Sequence, residues 1–249
     1  YNAYVRIHRI YCNSVSDQGN VFDLDQPQST HISKVLRLKL GNEIDVFDGK
    51  GSSAICKIIE INRSSIVLER ISEVKKLNPT HPKINAILPL IKKDNLHFML
   101  QKLTEVGVYE FIFYKPDLVD QSIAKKDSEK IMNKCNEVII NACKQCGSNF
   151  IPAIYYFSNL ELAVNSVKGI AIESYAFDLD AKEHFNLAEI KTGEDVCMIT
   201  GPESGFSKEE IEILSKKDTK IRLLKNNVLR AETAPIVISS LLQNHFGNI

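Results

Sequence analysis

The sequence lacks an excess of charge of either sign. Its 249 residues include 31 Lys and Arg and 31 Asp and Glu, so the formal net charge is zero. Proteins that bind nucleic acid through their overall charge are basic, and this composition does not indicate one. A nucleic-acid partner must therefore be argued from local patches.

Long hydrophobic runs and a disulfide framework are also missing. No apolar run approaches the roughly 20 residues that cross a bilayer, so we expect no membrane partner. The six cysteines are irregularly spaced in a mid-sized chain, whereas secreted disulfide scaffolds are short and cysteine-dense. We therefore predict a cytoplasmic protein.

Several catalytic signatures are absent as well. The six histidines show no metal-ligand spacing, so we predict no metal. No G-x-S-x-G elbow is present, which argues against a serine hydrolase. Cys143 and Cys146 have the spacing of a redox or half-zinc site, but there is no second C-x-x-C. A structural role is favoured, since Cys143 continues an apolar helical stripe.

The N-terminal part of the chain, to about residue 74, is predicted to be rich in β-strands. A short helix interrupts the strands, with Ser29 or Thr30 as its N-cap and Gly41 just beyond its end. Short strands at close spacing indicate a small barrel. The predicted strands are AYVRIHRI, NEIDVFD, SAICKIIEI and SIVLERIS, with turns at DGKG and NRSS.

Strands and helices alternate after the linker that contains Pro79 and Pro82. Asp94 is predicted to cap a helix that ends at Gly107, and a longer helix runs from about Ser128 to Cys146. The alternation predicts an α/β domain with a mostly parallel sheet and helices on both faces. Ligands of such sheets bind outside the carboxyl ends of the strands.

The segment ITGPESGFS, residues 199–207, joins a predicted strand to a predicted helix at that edge. Glycine loops in this position commonly bind phosphate through backbone N–H groups. This loop lacks the Lys-Ser/Thr pair of a phosphate-binding loop and carries the carboxylate of Glu203. A nucleotidase is therefore disfavoured.

A second polar segment, LLKNNVLRAETAP at residues 223–235, leads into an apolar helix. Arg230 and Glu232 would be costly in the first turn of a buried helix if they were unpaired. They indicate a functional site. The alternative is a capping arrangement, with Glu232 at the positive end of the helix dipole and Arg230 paired to a surface carboxylate.

Candidate RNA contacts lie in the N-terminal part of the chain. His31, Lys34, Arg37 and Lys39 could contact phosphate, and the alternative is an ordinary solvated surface. The pairs Lys92–Lys93, Lys125–Lys126 and Lys216–Lys217 are interpreted as solvated charge.

Five stretches in order resemble one family: HISKVLRLKLGNEIDVFDGKG, KKDNLHFMLQKLTEVGV, NACKQCGSNFIP, ITGPESGFSKEEI and NNVLRAETA. The sequence is similar to the RsmE-type ribosomal RNA uridine-N3 methyltransferases of the SPOUT superfamily. The resemblance implies a PUA-like β-barrel RNA-binding domain at 1–74 and an α/β methyltransferase domain with a C-terminal trefoil knot at 75–249. It also implies S-adenosyl-L-methionine (SAM) as cofactor, 16S ribosomal RNA of the small ribosomal subunit as substrate, and a homodimer.

The resemblance further implies a set of site residues. Because Arg230 and Glu232 are charged residues at the start of a buried helix beside the implied cofactor loop, they are the candidates for catalysis. Glu232 would accept the N3 proton or orient a water, and Arg230 would stabilise charge on the uracil oxygens. Lys102 and Glu105, in QKLTEVG, would shape the site or the RNA surface. The cofactor residues would be Thr200, Gly201, Pro202, Glu203, Gly205, Leu224, Val228, Leu229, Ala231, Thr233 and Ala234, with Leu88 and Pro89 as weaker candidates.

Three positions depart from the family pattern: Ser148 stands where an arginine is usual, and Ser204 and Lys225 stand where glycines are usual. Two other hypotheses stay open on this sequence. One is a ribosome assembly factor that binds RNA without catalysis, and the other is a methyltransferase of the same superfamily that acts on another RNA base.

Overall fold

A computed structural model describes residues 7–17, 19–62, 65–119, 127–167, 173–225 and 227–249. Part of the predicted NRSS turn, the Lys125–Lys126 pair, the start of GIAIESYAF and Asn226 lie outside these residues. The chain forms two compact units, Tyr1–Pro79 with Cys143–Ile151, and Thr80–Ala142 with Pro152–Ile249. Within the described ranges, no helix has both the length and the apolar character needed to cross a membrane.

The first unit is built on a six-stranded sheet in the order β1-β3-β4-β5-β2, with β6 paired to β4. The β1–β3 pair is parallel and the other pairs are antiparallel. Three predicted strands are present, the described end of the fourth, AYVRIHRI, forms β1 while its residues 3–6 lie outside the described residues, and β2 and β6 are additional. The strands are β1 (His8–Tyr11), β2 (Val21–Asp23), β3 (Glu43–Phe47), β4 (Ser52–Ile61), β5 (Ile66–Arg70) and β6 (Lys75–Lys76).

The predicted helix of this unit begins earlier than expected. Helix α1 (Gln26–Thr30) runs directly into a π-helical segment, His31–Leu36. The predicted N-cap at Ser29 or Thr30 was wrong, because the Asp25 side chain accepts a 2.8 Å hydrogen bond from the backbone N–H of Gln28. The Ser29 hydroxyl instead bonds Leu24 and the first strand residue of β5.

Residues Cys143–Ile151 join the first unit, an association that local patterns do not indicate. The Arg9 guanidinium lies 2.6 Å from the Asp45 carboxylate and donates to the carbonyls of Cys143 and Ser148 at 3.3 and 3.4 Å. Another guanidinium nitrogen donates to the Asn149 side chain. Ser148 therefore lies beside an arginine supplied by β1.

The second unit contains a six-stranded sheet in the order β12-β10-β11-β7-β8-β9, and every pair is parallel. The predicted parallel sheet is confirmed. Its strands are β7 (Ile84–Pro89), β8 (Glu110–Tyr114), β9 (Ala153–Phe157), β10 (Glu173–Phe177), β11 (Val196–Thr200) and β12 (Lys220–Arg222).

Helices pack on both faces of this sheet. Alternation along β11 directs Cys197 and Ile199 into the core shared with the helices Leu160–Ser166 and Lys208–Lys216, whereas Met198 contacts Ser239 of the helix Thr233–His245 at 3.3 Å. The helices are α2 (Lys93–Val106), α3 (Ser128–Cys146), α4 (Leu160–Ser166), α5 (Lys208–Lys216) and α6 (Thr233–His245). The predicted cap of α2 was wrong, because Asp94 lies in the first turn and Lys92 is the N-cap.

Candidate functional site

A cleft of about 500 Å³ lies at the carboxyl edge of the parallel sheet. The segments that follow β10, β11 and β12, three adjacent strands, border it. Ligands of α/β sheets bind at this edge. The lining residues are Phe177, Asp178, Leu179, Asp180, Thr200, Gly201, Pro202, Glu203, Ser204, Gly205, Phe206, Leu223, Leu224, Lys225, Asn227, Val228, Leu229, Arg230, Ala231 and Ala234.

The loop after β11 makes a tight turn in which the Gly205 N–H donates to the Pro202 carbonyl at 2.9 Å. Gly205 has φ +76°, a region that favours glycine. Among the described residues, the only non-glycine residues with positive φ are Arg37 and Asp218. The backbone conformation at Ser204 therefore does not require a glycine. The Ser204 hydroxyl donates to the Leu118 carbonyl at 3.1 Å, which holds the loop against the segment that follows β8.

The helix that follows this loop has its N-terminus already capped. The Ser207 hydroxyl accepts from the Glu210 N–H at 3.0 Å, and the Glu210 carboxylate accepts from the Ser207 N–H at 2.9 Å. Glu210 also accepts from the Asp117 N–H at 3.2 Å, and burial raises its pKa. Phosphate-binding loops offer free backbone N–H groups to an anion. Here the N–H groups of Ser207 and Glu210 are already bonded within the protein.

The second polar segment lies across the cleft from the first. Backbone hydrogen bonds fix its start, since Leu223 bonds both Glu183 and Phe185. Lys225 is exposed and, among the described residues, is not one with positive φ, so the backbone requires no glycine there. Val228 is 74% exposed although it is apolar, and it lines the cleft.

Arg230 and Glu232 stand at the start of α6 in different environments. The Arg230 side chain is 82% exposed and lines the cleft, whereas Glu232 is buried. Their closest charged atoms are 3.9 Å apart, from Arg230 Nη1 to Glu232 Oε1. Glu232 is the N-cap residue, but its side chain makes no capping bond. Glu232 thus stands at the positive end of the helix dipole, as the capping alternative places it, but the carboxylate near Arg230 is the buried Glu232 and not a surface residue.

Several predicted residues lie beside the cleft rather than in its lining. Glu232 is the N-cap of α6 and Thr233 is its first residue. Neither is a lining residue, although the adjacent Ala234 is. Leu88 and Pro89 are buried at the end of β7, where they pair with Phe113 and Tyr114 of β8. Their roles in binding stay predictions.

Phe177, Asp178, Leu179 and Asp180 line the cleft, and the sequence analysis did not select them. Phe177 is the last residue of β10 and the other three directly follow it, which is a signal for a ligand edge only when the strand order is known. The Asp180 N–H donates to Asp178 Oδ1 at 2.8 Å, which shapes this turn.

The predicted RNA-contacting residues divide between the units. Lys34, Arg37 and Lys39 are exposed and His31 is half-buried in the first unit. Burial lowers the pKa of His31, and the nearby Lys144 and His8 lower it further. Lys102 belongs to α2 of the second unit, where its ammonium lies 2.9 Å from the Glu105 carboxylate.

The C-x-x-C pair has the properties of a structural element. Cys143 is buried and its thiol donates to the Phe150 carbonyl at 3.4 Å. Burial raises the pKa of the Cys143 thiol to about 12, which disfavours the reactive thiolate. In the described part of the chain, no group of three His, Cys, Asp or Glu side chains is placed to hold a metal ion.

Comparison with known families decides the relationship of this chain. The family described as RNA methyltransferase domain matches residues 78–243, more than half of the sequence. The chain belongs to this family. Residues 24–69 match a second family, the RNA methyltransferase PUA domain, so this family member has a mixed α/β fold with a PUA domain.

Named relatives of this RNA methyltransferase family member cover nearly the whole chain. It is 25% identical to ribosomal RNA small subunit methyltransferase E of Rickettsia conorii, over 93% of each chain. It is 29% identical to the protein of that name from Aquifex aeolicus, over 91% of this chain and 96% of the relative.

Solved structures show the same fold. A putative methyltransferase of Legionella pneumophila in complex with the cofactor SAM is 28% identical, with a TM-score of 0.85 over 96% of this chain and 98% of that one. The ribosomal RNA small subunit methyltransferase E of Neisseria gonorrhoeae, bound to SAM, is 22% identical with a TM-score of 0.84, over 96% and 97%.

Proposed function

We propose that this protein transfers the methyl group of SAM to N3 of a uridine in 16S ribosomal RNA of the small ribosomal subunit. The observation that carries the proposal is the cleft at the carboxyl edge of the sheet, in a chain of the RNA methyltransferase domain family. Two polar segments selected from the sequence, after β11 and before α6, meet there. The named relatives act on ribosomal RNA of the small subunit.

The lining of the cleft fits SAM better than a nucleoside phosphate. Apolar side chains such as Leu224 and Leu229 suit an adenine ring. The lining contains three carboxylates, from Asp178, Asp180 and Glu203. It contains two cationic side chains, from Lys225 and Arg230. This balance favours a cofactor that carries a sulfonium and an ammonium, and it disfavours a polyphosphate.

The bound cofactor supplies an electrophilic methyl group, so that a bond from N3 to carbon forms, the bond from sulfur to that carbon breaks, and its electron pair stays on sulfur. The N3 proton must leave, and we assign its acceptance to Glu232. Arg230, whose guanidinium lines the cleft, donates to a uracil oxygen where negative charge develops. Because no redox step or water activation is needed, positioning provides most of the catalysis.

N3 lies on the Watson–Crick edge, so the target uridine must be unpaired or flipped when it enters the cleft. The first unit, with its PUA domain, is assigned to RNA binding. Its exposed Lys34, Arg37 and Lys39, together with His31, form the proposed phosphate-contacting surface. Lys102 is a second RNA-contacting candidate.

Finer features implied by the family resemblance belong to this proposal. We assign residues 1–74 to an RNA-binding domain whose sheet closes into a PUA-like barrel, and 75–249 to a SPOUT methyltransferase domain with a C-terminal trefoil knot. The functional form would be a homodimer, with its substrate in the cytoplasm. The parallel sheet with the cleft at its carboxyl edge supports the domain assignment.

The proposal is tested by incubating the purified protein with labelled SAM and small subunits from a strain that lacks the modification. The expected result is one methylated uridine, located by mapping the labelled RNA. Label on another base would support another specificity within the superfamily. A titration without SAM binding would instead favour a non-catalytic assembly factor.

Variants of the two assigned side chains test the mechanism. Arg230→Ala and Glu232→Ala should lose methylation while calorimetry still detects SAM binding, because neither side chain is needed for the apolar part of the cleft. Rates equal to those of the wild-type protein in both variants would contradict the assignment.

A further inference from the structure

Within the described parts of the chain, two of the buried polar atoms without a hydrogen-bond partner lie near the cleft. Among the described residues, the unpartnered buried side-chain atoms are Thr200 Oγ1, Thr219 Oγ1 and Glu232 Oε2. The Thr200 residue is 2% exposed and the Glu232 residue 6%. Leaving a buried donor or acceptor unpaired is unfavourable, so each of these atoms calls for a partner in the working state of the protein.

Thr200 and Glu232 lie on the two surfaces along which β11 and α6 pack together. Met198 contacts Ser239 of α6, and Thr200, two residues further along β11, points to the same face of the sheet. Glu232 precedes Ser239 by seven residues, about two helical turns, so it shares the helix face that contacts β11.

Thr200 and Glu232 also lie at similar positions along the strand direction. Two strand residues advance about 6–7 Å toward the carboxyl edge, and seven helical residues run back by about 10 Å. The helix is antiparallel to the strands, since Ala234 lines the cleft while Gln243 bonds Gly107 at the amino edge. The side chains of Thr200 and Glu232 therefore lie within about one helical turn of each other along the axis.

Thr200 is the suitable donor for the unpaired carboxylate oxygen. Thr219, the other unpartnered hydroxyl among the described residues, precedes β12 and so lies at the opposite edge of the sheet. The backbone carbonyl of Thr200 is already occupied by the Tyr114 hydroxyl, which fixes the main chain while the side chain can still rotate about χ1.

We infer that Thr200 is a positioning residue for Glu232: its hydroxyl donates to Oε2 when the cleft is loaded, and Oε1 is left to face the substrate. Oε1 is the oxygen near Arg230, at 3.9 Å, so this orientation directs the proton-accepting atom toward the cleft. One hydrogen bond then satisfies both unpaired atoms. This inference rests on the proposed function, in which Glu232 accepts the N3 proton.

The surroundings of Glu232 allow the hydroxyl to be tested separately from other charges. The elements packed against α6 are β7, β11, α2 and the short turn Leu187–Glu189. Strands β7 and β11 carry no charged side chain. The titratable side chains of the other elements are Lys93, Asp94, His97, Lys102, Glu105 and Glu189. The charged side chains that line the cleft are Asp178, Asp180, Glu203, Lys225 and Arg230.

The experiment measures methylation rates against pH for Thr200→Val and Thr200→Ser, together with SAM affinity by calorimetry. Thr200→Val keeps the shape but removes the donor, so kcat should fall about tenfold, as expected for the loss of one hydrogen bond to a charged group. The acid limb of its pH profile should move to higher pH, because the carboxylate loses a donor that favours the charged form. Because kcat is measured at saturating SAM, a change in SAM affinity does not contribute to it, and Thr200→Ser should restore rate and profile.

Ser239→Ala is the matched control, because Ser239 is buried at the same β11–α6 contact but lies two turns from Glu232. It should keep the wild-type profile. An unchanged profile in Thr200→Val overturns the inference, as does a loss of activity that is explained by weaker SAM binding.

A second measurement does not depend on activity. The free energy of unfolding at saturating SAM is compared for Thr200→Val, Glu232→Gln and the double variant. If the two side chains are bonded, the double variant should be less destabilised than the sum of the single variants. Additive effects overturn the inference even if the wild-type protein is active, whereas an inactive wild-type protein with non-additive effects overturns only the proposed function.

Discussion

The hydroxyl of Tyr114 donates a 3.1 Å hydrogen bond to the backbone carbonyl of Thr200, and both residues are buried. The bond connects the end of β8 to the beginning of the loop that lines the cleft. The cleft therefore depends on a residue that does not line it.

Removing this hydroxyl should affect stability and binding together. In Tyr114→Phe the Thr200 carbonyl loses its partner, and we expect the free energy of unfolding to fall by about 1–3 kcal/mol. SAM should also bind more weakly. Urea denaturation and calorimetry measure the two effects. Tyr156→Phe is the control, since no hydrogen bond of that hydroxyl is seen among the described residues, and equal losses in both variants would contradict the prediction.

The turn after β11 should be sensitive to substitution at Gly205. A Cβ there would meet no atom within 4 Å, so the cost of Gly205→Ala comes from its φ of +76° alone. We expect about 1 kcal/mol of strain and a weaker SAM affinity in calorimetry. Ser204→Gly is the comparison, and it should bring no gain because it removes the bond to Leu118. Wild-type affinity in Gly205→Ala would show that the turn can rearrange.

Arg9 and Lys134 both form ion pairs, and Arg9 should contribute more to the free energy of unfolding. Its side chain is 12% exposed beside Asp45, and Arg9→Met removes contacts to the Cys143–Ile151 segment. We expect a loss of about 3 kcal/mol in the free energy of unfolding. Lys134→Met breaks an exposed 2.8 Å pair with Glu137 and should cost about 0–1 kcal/mol. Chemical denaturation distinguishes these outcomes, and similar losses would refute the ranking.

The Glu189–Arg222 pair should stabilise the protein in a pH-dependent manner. Hydrogen bonding from Arg222, at 2.7 Å, lowers the pKa of Glu189 from its ordinary value of 4.5. A lowered folded-state pKa contributes stability that is present above pH 4.5 and is lost as the pH falls through the folded value. Glu189→Gln should therefore be less stable than wild type at neutral pH, with a gap that narrows in acid. Urea denaturation across this range measures the gap, and a constant difference would contradict the linkage.

The basic surface of the first unit should govern the salt dependence of RNA binding. Lys34→Glu with Arg37→Glu removes two exposed cations, so the affinity for small-subunit RNA should fall and its salt dependence should flatten. SAM affinity should not change. Filter binding at several salt concentrations provides the measurement. If the slope is unchanged, these residues are ordinary solvated charge.

Local chemistry made some elements predictable from the sequence. Helix α3 has the predicted bounds of Ser128–Cys146, because its apolar stripe and the stop at Gly147 are encoded within the segment itself. The parallel sheet followed from the alternation of elements. The predicted helix caps were less reliable. The Ser29 hydroxyl accepts a hydrogen bond from β5 and does not cap its own helix, and no local pattern reveals this.

The candidate site could be predicted only in part, because local sequence patterns do not reveal which distant segments come together. The segments after β11 and before α6 carry unusual polar residues, so they were visible in the sequence. The lining residues Phe177–Asp180 became apparent only when the strand order placed β10 between β11 and β12. The contacts of Arg9 with Cys143 and Ser148 join positions more than a hundred residues apart, and periodicity carries no information at that range.

The membership of Cys143–Ile151 in the first unit has a consequence for synthesis of the protein on the ribosome. The strands of this unit emerge early, but the carbonyls that Arg9 contacts emerge only after α2, β8 and α3 have been translated. The N-terminal unit cannot complete its contacts before then, so the two units must mature over overlapping periods rather than one after the other. A fragment that ends at Pro79 would carry Arg9 without those acceptors.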